Sequence, residues 1–164
     1  MARCLADSEP KKEGKIIMNK MFDISYADIE VIKNLWEKNR QYHEKTSEHF
    51  KESYRLINFD DRIKAFEVYN KEQMKITVMK TNDKYIGYCI STIIDGRGEL
   101  QSLHVDETNR GSGIGKKLVS KHIEWMKEKN CKEIGVTVSQ ENESTIGFYK
   151  KLGFYPNTLY MQMK

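Results

Sequence analysis

Proline is almost missing from this chain: there are two in 164 residues, one of them in the first twenty. Cysteine is scarce as well. Cys4, Cys89 and Cys131 are odd in number, far apart and without a CxxC spacing. That excludes a disulfide framework or a metal-ligand set and fits reduced thiols in a cytoplasmic protein. No apolar run approaches the ~20 residues that a membrane-spanning helix needs, so no membrane partner is expected. No charge of one sign dominates. The formal net charge is +4, too small to argue for nucleic acid. The first twenty residues, "MARCLADSEPKKEGKIIMNK", hold no apolar core of the ~7–15 residues found in a secretory signal. They show no periodicity and are expected to form a flexible extension. Neither an internal repeat nor a low-complexity tract is present. What remains is an ordinary balance, 38% hydrophobic and 32% charged. One domain over residues 21–164 follows, large enough to bury about two-thirds of its unfolded surface.

From Met21 the pattern alternates between strand and helix. "FDIS" reads as a short strand whose Ser25 can cap a helix. The next segment places Ile29, Ile32, Leu35, Trp36 and Asn39 on one helical face. An interrupted helical region follows over residues 46–70. "MKITVMKT" alternates and reads as a strand. "KYIGYCISTII" is apolar on both faces and reads as a buried central strand. "ELQSLHV" is the next strand. Ile114, Leu118, Val119, His122, Ile123, Trp125 and Met126 carry helical spacing, with His122 expected as a satisfied residue at the helix margin. "EIGVTV" is a strand, "NESTIGFYKKL" a short helix closed by Gly153, and "FYPNTLYMQMK" a final strand.

"RGSGIGKK", Arg110 to Lys117, joins a strand to a helix with glycine at every second position. Backbone amides at a helix N-terminus, freed by glycine, form an anion site. A P-loop is excluded, because Arg110 stands where its first glycine belongs and Lys117 where Ser or Thr must bind magnesium. A dinucleotide fingerprint is excluded by Lys116 at its third glycine. The pattern [Q/R]xxGx[G/A] is met by Arg110, Gly113 and Gly115.

With its flanks, "ELQSLHVDETNRGSGIGKKLVSKHIEWM" followed by "NESTIGFYKKLGF", this loop resembles the GCN5-related N-acetyltransferase (GNAT) superfamily. The resemblance is close over about residues 84–155 and extends to 21–82 only by element order. It implies an α/β (α+β) fold: a mixed, mostly antiparallel central sheet, splayed after the fourth strand and flanked by about four helices. It also implies acetyl-CoA as co-substrate, without a metal. The pyrophosphate would lie on Arg110, Gly111, Ser112, Gly113, Ile114, Gly115 and Lys116. The pantetheine arm would pair with the backbone at Leu103, His104 and Val105, and Asn142 would contact the cofactor. The Val105 N–H can polarise the thioester carbonyl. The side chain of His104 should point to the opposite face from Leu103 and Val105.

Acetyl transfer to a primary amine sets two more demands. The amine, with a pKa near 10, must lose a proton before it attacks. Glu99, six residues before Val105, matches the general-base glutamate of the histone-acetylating members; a solvent-facing glutamate at a strand start is the alternative. The leaving thiolate needs stabilising, and Tyr149 in "FYKKLGF" matches the tyrosine that donates a hydrogen bond or proton to that sulfur. The acceptor is a small-molecule or peptide amine. Tyr42, His43, Phe59, Asp60, Asp61 and Tyr160 fall in the segments that shape its cleft. Asp60 and Asp61 read equally well as a helix N-cap. Two other classes stay open: an acyl-CoA-binding regulatory module without catalysis, and a nucleic-acid binder using Lys116, Lys117, Lys121, Lys150 and Lys151. A homodimer is compatible with all three.

Overall fold

The computed structural model describes residues 19–163. Its sheet has five strands in sequence order: β1 (Asn19–Ile24), β2 (Met74–Thr81), β3 (Lys84–Ile94), β4 (Arg97–Val105) and β5 (Glu133–Val136). β1 to β4 pair antiparallel, and β5 lies parallel to β4. The turn between β3 and β4 is Asp95–Gly96, with φ of 48° and 74°. Two consecutive positive φ values suit a tight hairpin whose twist matches its strands.

Each face of the sheet carries its own core. On one side Ile29, Ile32, Leu35 and Trp36 pack with Phe59 and Ile63 against Ile76, Val78, Tyr88 and Ile90. These residues come from a 3-10 segment (Tyr26–Ile32), helix α1 (Lys33–Thr46) and helix α3 (Phe59–Lys64). Helix α2 (Lys51–Leu56) lies between α1 and α3 in the chain and buries no residue. On the other side, helix α4 (Ile114–Glu128) sets Leu118, Val119 and Met126 against Met79, Ile86, Cys89 and Leu100. Helix α5 (Glu143–Lys151) adds Tyr149. β3 is therefore covered on both faces, as its unbroken apolar run requires.

His122 is fully buried rather than marginal, and it is satisfied. Nδ1 meets Ser91 Oγ at 2.7 Å and Nε2 meets Thr77 Oγ1 at 2.9 Å. Thr77 donates to Asp23, which also accepts from Lys75 and Lys121. One polar chain thus ties α4 to β1, β2 and β3.

Three expectations need correcting. The first strand starts at Asn19 rather than at Phe22; residues 1–18, most of the expected extension, lie outside the described residues. The first turns of the expected first helix, Tyr26–Ile32, are 3-10, and Ile29 and Ile32, three apart, suit that period. Residues 154–163 form no strand. Pro156 cannot donate to a ladder, and Leu159, Met161 and Met163 stay exposed.

The pairing of β4 with β5 sets up the site. It runs from Arg97↔Glu133 to Leu100↔Val136 and stops. Beyond Leu100 the two strands diverge and one edge of β4 is free.

Candidate active site

The divergence opens a cavity of about 590 Å³, walled by β4, β5, the glycine loop, α5 and one face of α1. A bulge shapes its β4 wall. Ser91 of β3 faces Leu100, and Ile90 faces Ser102, which leaves Gln101 as an extra residue. Without it Glu99 and His104, five apart, would point to opposite faces. With it they share the α1 face, opposite Thr92 and Tyr88. Leu103 and Val105 join the α4 core. His104 thus lies on the opposite face from them, as expected.

Backbone direction follows from one hydrogen bond. Asp106 N–H donates to Ile86 O on β3. In an antiparallel ladder alternate residues turn their backbone groups inward and outward. Val105 and Leu103 therefore turn theirs away from β3, into the cavity. Arg110 marks that direction, because its Nε donates to Val105 O at 3.0 Å. His104 turns its backbone toward β3. Of the three residues expected to pair with a pantetheine arm, the free edge offers Leu103 and Val105, while His104 contributes only its side chain to the wall.

The loop between β4 and α4 is held open by glycine. Gly111 and Gly113 have φ of 77° and 80°, a region that costs a side-chain-bearing residue about 1–2 kcal/mol. A Cβ built on either would meet nothing within 4 Å, so the space in front of the backbone is clear. Gly113 is the N-cap of α4. The amides that follow it have no intrahelical acceptor and sum with the helix dipole. Gly115 differs: its Cβ would sit 3.5 Å from Phe148, an ordinary contact. Ser112 is spent on the loop, with Oγ donating to Asn109 O at 2.6 Å. Arg110 and Lys116 line the cavity and bring positive charge to this end.

Tyr149 lines the opposite wall and is 5% exposed. Its ring sits edge-on to Phe148 at 5.0 Å and Phe154 at 5.5 Å. Burial raises its phenol pKa well above the usual value, so the hydroxyl keeps its proton. Asn142 is the N-cap of α5, and its Oδ1 accepts from Thr145 N, Ser144 Oγ and Tyr42 Oη. That occupies the carbonyl and leaves the amide nitrogen.

Glu99 does not line the cavity. It sits behind the wall, accepting from Gln101 Nε2 at 3.0 Å and from Thr137 Oγ1 at 3.2 Å, and both donors do line it. Among the acceptor-side candidates, Tyr42 and His43 reach the cavity. Phe59 is buried in the core, Asp60 pairs with Lys33, and Tyr160 is exposed. Asp61 lies in the first turn of α3, whose N-cap is Asn58 rather than either aspartate. Gln101, Ser102 and Thr137 carry no motif that marks them, and Asn39 stands out only as the polar end of an apolar stripe. That polar interruption was the available signal, since α1 turns Asn39, Tyr42 and His43 toward the cavity.

A splayed sheet with a free strand edge, closed at one end by a glycine-rich helix N-terminus, has the shape and the donors to take an extended, phosphate-bearing ligand. The comparisons name the family. The model described as Acetyltransferase (GNAT) family matches residues 32–154, and the chain belongs to that family. An uncharacterized N-acetyltransferase, YobR of Bacillus subtilis, is 31% identical over 91 residues, 56% of this chain and 32% of that protein. N-alpha-acetyltransferase 30 of Schizosaccharomyces pombe is 33% identical over 78 residues, 44% of this chain and 52% of that protein. The matches thus span between a third and about half of those relatives. Among solved structures, a BH1408 variant from Bacillus halodurans has a TM-score of 0.71 at 20% identity, covering 88% of this chain and 99% of that one. An aminoglycoside N-acetyltransferase, AAC(6')-Iy, in complex with CoA has a TM-score of 0.67 at 14% identity, covering 92% and 96%. Identity at that level carries the fold and no substrate. Among the described residues no helix is long and apolar enough to cross a membrane.

Proposed function

We propose that the protein is an N-acetyltransferase that moves the acetyl group of acetyl-CoA to a primary amine by direct attack within a ternary complex. The observation that carries this reading is the outward-facing backbone of Leu103 and Val105 beside the loop at Gly111 and Gly113. A thin amide-bearing arm fits the first, and a pyrophosphate the second.

In this reading the α4 N-terminal amides, Arg110 and Lys116 hold the pyrophosphate. Arg110 leaves the Val105 carbonyl as the arm arrives and takes its place. The Val105 N–H stabilises the oxygen of the tetrahedral intermediate. The amine nitrogen forms a bond to the carbonyl carbon, the carbon–sulfur bond breaks, the departing thiolate takes the N–H proton of the intermediate, and before the attack the ammonium form of the acceptor gives up one proton. Glu99 receives that proton through the Thr137 hydroxyl or a bridging water, being one hydrogen bond behind the wall. Tyr149 keeps its own proton and donates a hydrogen bond to the leaving sulfur. Full transfer from phenol to thiolate is uphill by ~1.5 pKa units even for unperturbed groups, and burial of Tyr149 widens the gap.

The test is a thermal scan with acetyl-CoA, paired with thiol release across a panel of amines. No shift in midpoint sinks the site. A shift without turnover of any amine sinks the transferase and leaves an acyl-CoA-binding module.

A further inference from the structure

The cavity has two chemically different ends. At the loop end stand Arg110, Lys116 and Lys151. At the other end α1 presents Asn39 and His43, β4 presents Gln101, Ser102 and His104, and Thr137 follows β5. Among the described residues no aspartate or glutamate lines the cavity at all. We propose, building on the acetyltransferase reading, that the acceptor is an amine whose only positive charge is the reacting group, flanked by uncharged hydrogen-bonding groups, and not a polycation.

The nearby acids do not supply what the wall lacks. Asp106 is held between Lys38 at 2.7 Å and Lys84 at 3.1 Å, with its side chain 7% exposed. Asp60 is paired with Lys33, and the Asp61 carboxylate accepts from Asn58 Nδ2 at the start of α3. Glu99 stands alone behind Thr137, enough to draw in one ammonium group and take its proton. A polyamine or aminoglycoside brings further ammonium groups. Each would lose water in a site whose charged liners are all cations, with no carboxylate to compensate.

The two histidines reinforce this. Burial lowers the pKa of both, that of His104 to about 4 with help from the Arg110 charge and Lys38, against the opposing pull of Asp106. Both are neutral at physiological pH, and each holds one buried nitrogen without a partner, Nδ1 in His43 and Nε2 in His104. A neutral imidazole can donate to a carbonyl or accept from a hydroxyl or amide. With the uncharged polar side chains of Asn39, Gln101, Ser102 and Thr137 lining the same end, the wall suits an acceptor that carries hydroxyl or amide groups beside its amine.

The experiment compares kcat/KM for four acceptors with saturating acetyl-CoA: a tripeptide amide with uncharged side chains, glucosamine, spermidine and kanamycin. Calorimetry of the same compounds against the CoA-saturated protein reads binding independently of turnover. The better of the two singly charged amines should exceed both polycations by at least about tenfold. Asn39→Asp, which adds a carboxylate to this wall with little change in shape, should narrow that ratio about threefold or more, and further at low salt. Spermidine or kanamycin used or bound as well as the singly charged amines overturns the proposal. So does an unchanged ratio in Asn39→Asp that keeps the wild-type melting temperature. A thermal shift with acetyl-CoA on the same samples separates the two levels: its absence refutes the acetyltransferase reading itself, while its presence with a polycation preferred refutes only this inference.

Discussion

Replacing Gly113 with valine tests the loop most directly. At φ 80° a branched residue is strained by about 1–2 kcal/mol, yet its Cβ meets no atom within 4 Å. The free protein should therefore fold with a melting temperature lowered by only about 2–8 °C. The clear space in front of Gly113 is where the pyrophosphate must lie, so the valine fills the binding site and leaves the core untouched. For the wild type, acetyl-CoA at a hundred times its dissociation constant should add about 2.7 kcal/mol, or roughly 5–11 °C at this chain length. Gly113→Val should lose that increment. Gly115→Ala is the control. Its Cβ makes an ordinary 3.5 Å contact with Phe148, and alanine favours the helix by about 1 kcal/mol, so the ligand shift should survive. Scanning fluorimetry of the three proteins with and without ligand reads all of this. A full ligand shift in Gly113→Val would refute the reasoning, because the pyrophosphate would then lie elsewhere.

Tyr149→Phe keeps the ring packed against Phe148 and Phe154 and removes only the hydroxyl. Its kcat should fall about a hundredfold with little change in the KM for acetyl-CoA, and equal kcat values would remove Tyr149 from the chemistry. His122, held near pKa 3 by burial, stays neutral when folded, whereas the unfolded chain takes up a proton near 6.5. Its contribution is complete above pH 6.5 and is lost as pH falls toward 3, about 2 kcal/mol of it by pH 5. Urea unfolding at pH 7 and pH 5 should show His122→Gln, which keeps the partners at Ser91 and Thr77, losing less stability than the wild type over that step. An identical loss would mean that His122 does not titrate as its burial requires. Arg110→Ala should weaken acetyl-CoA binding while leaving the fold intact, since among the described residues the guanidinium bonds only the Val105 carbonyl and stacks on Tyr42; isothermal titration with an unchanged dissociation constant would contradict its role.

The elements that carry a strong period or a dense motif were legible in the sequence. β2 and β3 occupy the segments their patterns marked, and the loop sits where the glycines put it. Two things were not legible, for a physical reason. Asn142 and Gly153 announce the ends of α5 by residue type, but a strand such as 154–163 exists only if a partner accepts its hydrogen bonds, and local alternation cannot report a partner. His122 reads as a polar residue beside an apolar stripe, because its two hydroxyl partners come from Thr77 and Ser91, distant in sequence.

The β4 bulge is the other long-range feature, and the arrangement of the site depends on it. A period of two sets Glu99 and His104 on opposite faces, so the sequence alone separates the acid from the acceptor wall. One extra residue at Gln101 reverses the parity of everything before it. Glu99 then shares a face with His104, and Leu100 shares one with Leu103 and Val105, so a single irregularity serves both layers. It keeps the α4 core continuous along β4, and it delivers the Glu99 carboxylate to the acceptor side. The Gln101 side chain holds the result in place, donating to both Thr92 Oγ1 and Glu99 Oε2. Glu99→Gln keeps that parity and the shape of the side chain and removes only its negative charge and its ability to take a proton. On the present reasoning that change removes acetyl transfer, while acetyl-CoA binding, which depends on Leu103, Val105 and the loop beyond the bulge, persists with a comparable thermal shift. If Glu99→Gln folds and still turns over amines at the wild-type rate, Glu99 is not the proton acceptor.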